Sequence, residues 1–115
     1  MGVRANKHLP LKKRIKYFFQ RAIRGYDDEC IYSIDYEFCD RYIKILSHYK
    51  DINKPHPYSI THEEWNNVIA EMINDLVYIK DNMFKVSSKE EQEKLMEVKN
   101  NFMLLWSNWF FDLWM

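Results

Sequence analysis

Apolar side chains recur at intervals of three and four along most of this chain, and that spacing points to helices. Leu11, Ile15, Phe18, Phe19, Ala22 and Ile23 make one stripe, and Trp65, Val68, Ile69, Met72, Leu76 and Ile79 make another. A further stripe, Leu95, Val98, Phe102, Leu105 and Trp109, steps by 3, 4, 3 and 4, the seam of a heptad repeat. Ile34, Phe38, Tyr42, Ile45, Leu46 and Tyr49 define the inward face of a helix over roughly 34–50. Only 2 glycines and 3 prolines punctuate the 115 residues, too few for a turn-rich sandwich or barrel. Gly2 and Gly25 cannot supply a glycine-rich phosphate loop. At 47% hydrophobic and 17% aromatic residues the chain is too apolar to be disordered. No run approaches the ~18 apolar residues of a membrane span.

Local signals set the ends of these helices. Pro10 suits a first turn, where its missing N–H costs nothing. Gly25 is a natural stop, and Arg21 and Arg24 complement the carbonyl end that precedes it. Asp27 or Asp28 can cap a short helix or turn, and Ser33 and Asp35 can cap the next helix. Asn53-Lys54-Pro55-His56-Pro57 is a loop, because each proline keeps its predecessor extended. Thr61-His62-Glu63-Glu64 is a capping box, flanked by Ile60 and Trp65 at the positions of a hydrophobic staple, and its helix runs to about residue 84. Ser88 and Glu91 form a second such box, opening a helix that continues to the C-terminus. The expected fold is all-α: a compact bundle of about four helices in a single domain over 10–115, preceded by a flexible basic arm over 1–9. From Phe102 onward the last helix is apolar almost all round, which predicts a homo-oligomer.

The charges balance only as a sum. Residues 1–25 hold eight basic side chains and no acid, leaving nine basic and seventeen acidic in the other ninety. A cationic segment is thus joined to an anionic body, which either folds back on that body or binds an external anion. A pI near 6.9 argues against a nucleic-acid partner, although the basic first helix keeps nucleic-acid or membrane-surface binding as a third option. Cys30 and Cys39 form no CxxC motif and read as reduced thiols of a cytoplasmic protein.

No catalytic constellation stands out. His62-Glu63 begins an HExxH pattern, but residue 66 is asparagine, so the second zinc ligand is missing. The serines sit at caps or within helices without a partner base, and the carboxylates crowd helix starts. The expectation is a protein that is not an enzyme and uses no metal or cofactor. The chemistry-bearing cluster is Arg21, Arg24 and Tyr26, where two guanidiniums and a flat ring suit a phosphate and a base. Trp65 is the candidate second stacking face. In the alternative, both aromatics are core and the arginines pair with Asp27, Asp28 or Asp35.

The order Arg24-Gly25-Tyr26, Asp28, Ile34-Asp35, then Pro57, Thr61-x-Glu63-Glu64-Trp65, Ile69 and Met72-Ile73, and finally Phe102, Leu105, Phe110 and Leu113-Trp114 resembles a family of small tailed-bacteriophage proteins. The resemblance spans roughly residues 20–115. The chain departs from it where Pro55-His56-Pro57 stands for Gly-Tyr-Pro, where Ile31 or Tyr32 stands for a tryptophan, and where Met115 replaces a terminal aspartate. It implies a helical protein made in the cytoplasm of an infected bacterium. The expected function is that of a phage accessory protein countering host defence by sequestering a phosphate-bearing nucleotide signal at Arg21, Arg24, Tyr26 and Trp65. The alternative is an inhibitor or adaptor that engages a host protein through the aromatic C-terminal helix.

Overall fold

The computed structural model describes residues 10–52 and 55–114, and every regular element among them is helical. The basic arm over 1–9 lies outside the described residues, as do Asn53 and Lys54 of the proline-flanked loop. Among the described residues there are five α-helices: α1 (Leu11–Arg24), α2 (Glu29–Tyr32), α3 (Ile34–Ile52), α4 (His62–Asn82) and α5 (Lys89–Trp109), followed by a 3-10 turn, Phe110–Asp112. The all-α class is therefore as expected, with the acidic turn after Gly25 contributing a fifth, one-turn helix. None of the described helices is long and apolar enough to cross a membrane. Two compact units divide the chain, Met1–Arg41 and Tyr42–Met115, with the division falling inside α3.

In the first unit, Gly25 ends α1 with φ 83°, and its amide donates to the Arg21 carbonyl at 2.9 Å. A Cβ built there would meet nothing within 4 Å, so the backbone angle and not the space requires glycine. The chain then turns into α2, whose Cys30 amide donates to an Asp27 carboxylate oxygen at 3.1 Å. Asp27 is thus the side chain that caps the turn.

The side of α1 that meets its own chain is not the one its apolar spacing indicates. Tyr17 is buried, whereas Leu11, Ile15, Phe18, Phe19 and Ile23 are between 49% and 83% exposed. The cause is polar: Gln20, Arg21 and Arg24 all bond to Asp27 or Asp28 and turn that side of α1 toward the acidic turn. At ~100° per residue the apolar stripe then lies on the opposite side.

The second unit is built on an antiparallel helix pair. The capping box of α4 is complete: Thr61 Oγ1 accepts from the Glu64 amide at 3.1 Å, and Glu64 Oε1 accepts from the Thr61 amide at 2.8 Å. At α5 only half of the expected box forms. Ser88 Oγ accepts from the Glu91 amide, but the Glu91 carboxylate takes the amide and hydroxyl of Ser87. The α4 stripe Trp65, Ile69, Met72, Leu76 and Ile79 is buried together with Phe102 of α5. Each such side chain contributes about 1.5–3 kcal/mol on burial. Cross-contacts fix the register: Trp65 meets Trp109 edge-on at 5.6 Å, Asn101 donates to Glu71 and Asp75, and Lys94 lies over the Tyr78 ring. The end of α3 joins this pair through buried Leu46, the Tyr42–Trp106 ring contact at 5.6 Å, and the Tyr49 hydroxyl donating to the Trp114 carbonyl.

Candidate functional site

The cationic corner of the first unit is assembled by the Gly25 turn, which folds the acidic residues back along α1. Arg21 Nη1 meets Asp27 Oδ2 at 2.6 Å, and Arg24 Nη2 meets Asp28 Oδ1 at 2.7 Å. Lys16 adds a contact to Asp28 at 3.3 Å, and Gln20 both donates to that carboxylate and accepts from the Asp28 amide. Burial works to raise the Asp27 carboxyl, but the Arg21 and Cys30 hydrogen bonds outweigh it and hold the group below its ordinary value. Asp28, bonded by Gln20, Arg24 and Lys16, is held down at about 2. Asp35, the third candidate partner, instead accepts from the Tyr36 amide.

Tyr26 belongs to the same corner. The Arg24 guanidinium sits 4.5 Å from its ring centroid, and Arg24 Nε donates to the Tyr26 carbonyl. The ring stays 43% exposed and borders an apolar hollow of about 340 Å³ that Ile31, Ile34, Phe38, Glu37 and Arg41 also line. The structure therefore brings Arg21, Arg24 and Tyr26 together, with both arginines bonded to the chain's own carboxylates. Trp65 belongs to the second unit and is 0% exposed. Its position after the capping box puts it on the inward stripe of α4, against Trp109, so its ring faces are occupied by core. Gln20 and Arg41, whose guanidinium donates to the Gly25 carbonyl, were not singled out in the sequence. No spacing signal marks a residue eight or sixteen positions from its partner.

A second candidate lies in the second unit. Tyr42, Ile45, Leu46 and Tyr49 of α3 face Trp106, Phe110, Phe111 and Leu113 across an open cleft of about 430 Å³. Trp106 stacks on Phe102 and meets Phe110 edge-on, and Phe110 in turn meets Phe111. The chain of rings leads from the core to Phe111, which is 89% exposed. The continuous apolar run at the end of α5 was legible in the sequence, whereas the cleft was not. It depends on the helix breaking into a 3-10 turn at Phe110, which splays the last rings.

Reactive groups are few. Cys30 is pushed up to about 11 by burial, so its thiol is protonated at neutral pH, and Cys39 is buried. No group of three or more His, Cys, Asp or Glu is placed to hold a metal among the described residues. Comparison with protein-family models, curated proteins and solved structures finds no match to this chain.

Proposed function

We propose that this protein is a non-catalytic binding module, an inhibitor or adaptor that engages another protein through the aromatic end of α5. The observation that carries this reading is the cleft between α3 and the Phe110–Asp112 turn, a concave apolar surface with exposed rings at its mouth. Exposed aromatics beside a preformed cleft are the anchors and pockets from which protein interfaces draw most of their energy. The resemblance to small tailed-bacteriophage proteins supplies the setting: the cytoplasm of an infected bacterium, with a host defence protein as the partner. A photo-crosslinking residue in place of Phe111 tests it directly in infected cells. One discrete adduct to a host protein, abolished by Trp106→Ala, is the expected result. No adduct defeats the reading, and an adduct only to a second copy replaces it with homo-oligomerisation.

Sequestration of a phosphate-bearing nucleotide at Arg21, Arg24 and Tyr26 stands second. The apolar hollow beside Tyr26 favours it. Against it, a phosphate has to displace Asp27 and Asp28 from the arginines that hold them. Calorimetry against linear and cyclic nucleotides separates the two, since the cleft reading expects no heat from either class.

A further inference from the structure

Among the described residues, the apolar stripe of α1 stands exposed, and the charges around it state what fits it. Leu11, Ile15, Phe18, Phe19 and Ile23 are all exposed, on the side of the helix away from the bonds to Asp27 and Asp28. At ~100° per residue, Lys12 and Lys16 border the stripe on one flank and Arg14 on the other. Lys12, Lys13 and Arg14 make no ion pair with another described residue.

The first turn of α1 is also electrostatically unusual. It holds no acidic residue and has no side-chain cap, and three cations stand at the positive end of the helix dipole. That arrangement is unfavourable for an isolated helix. An anionic surface reverses the sign of the effect. A second copy of α1 does not, because it brings the same positive charges to the contact.

We propose that α1 lies in the plane of an anionic lipid surface, its Leu11-to-Ile23 stripe among the acyl chains and Lys12 and Arg14 at the headgroup phosphates. A helix with a strongly charged face rich in lysine and arginine and an opposite face of Phe, Leu and Ile binds bilayers in this way, without spanning them. Long lysine side chains at the border of the stripe reach up to the headgroups while their methylenes stay in contact with the apolar layer. Arg4 and Lys7 add two charges just ahead of the helix in the sequence. The stripe belongs to the first unit and the cleft to the second, so this inference and the cleft reading use different residues and stand or fall separately.

The test is flotation of the full chain with vesicles of phosphatidylglycerol and phosphatidylcholine, beside vesicles of phosphatidylcholine alone. Partitioning onto the anionic vesicles at least ~10-fold above the neutral ones is expected. The Ile15→Ser/Phe18→Ser variant loses at least ~10-fold while its thermal melt stays unchanged, because both side chains are exposed. Lys12→Glu/Arg14→Glu loses a similar factor. Equal partitioning onto the two vesicle types overturns the proposal. So does unchanged binding by the serine variant, which reduces the contact to bulk charge attraction. Preference for an acidic polypeptide or an RNA over the anionic vesicles also overturns it.

Discussion

Phe102 and Phe111 lie within three turns of each other, yet the structure gives them opposite roles, and truncating each to alanine tests the packing of α5. Phe102 is 1% exposed, stacked on Trp106 at 5.4 Å and set within the buried stripe of α4. Its removal takes away a fully buried ring and leaves a cavity that rigid neighbours cannot fill, a cost of about 3–5 kcal/mol. For a domain of this size ~4–8 °C accompanies each kcal/mol, so Phe102→Ala lowers Tm by more than ~10 °C. Phe111→Ala removes a ring already in water and changes stability by less than ~0.5 kcal/mol. Thermal and urea melts followed by tryptophan fluorescence, at two protein concentrations ~20-fold apart, provide the comparison. Equal losses from the two variants refute the packing described for α5. A concentration-dependent loss from Phe111→Ala shows that the exposed rings are covered by a second copy.

Three further outcomes follow from the same geometry. Thr61→Ala removes the cap of α4 and costs about 1 kcal/mol in the urea melt, while Thr61→Ser retains most of it. Arg21→Met leaves Asp27 buried without its cation and is destabilising by about 3 kcal/mol, whereas the double variant Arg21→Met/Asp27→Asn recovers much of the loss, as a double-mutant cycle will show. Burial first, and the neighbouring Glu71 charge, raise Asp75 above its ordinary value despite the Asn101 hydrogen bond. A carboxyl raised in the folded state binds its proton more tightly there, so its contribution is most favourable at low pH and is lost as pH rises through the raised value. Asp75→Asn therefore stabilises the protein at neutral pH and matches the parent in acid, as melts across pH will report.

Local signals were legible where they close on themselves. Thr61 and Glu64 satisfy each other within one turn, and the α4 stripe follows at once, so both the start and the buried face of that helix could be read from residue order. The Ser88 box was half legible, because Glu91 had two serines to choose from and took Ser87. For α1 the spacing identified which side chains share a face, but periodicity carries no information on what covers that face. The polar bonds of Gln20, Arg21 and Arg24 decided it, and only Arg24–Asp28 has the four-residue spacing that a sequence displays. Trp65 shows the converse: a residue that looks available at a helix start is drawn fully into the core by its place in a heptad stripe. The cleft required three segments and a break in helical geometry, none of which residue order alone displays.

The short connection between α4 and α5 bears on how fast the protein assembles. Partners such as Tyr78 and Lys94 are close in the chain, so bringing them together confines little of the disordered ensemble. Pairing can then advance from the turn outward, one helical step at a time, until Trp65 reaches Trp109. Topologies dominated by such near-neighbour encounters reach the native state in microseconds to milliseconds. The fluorescence of Trp65 and Trp109, the last rings to meet, marks the end of that zipping.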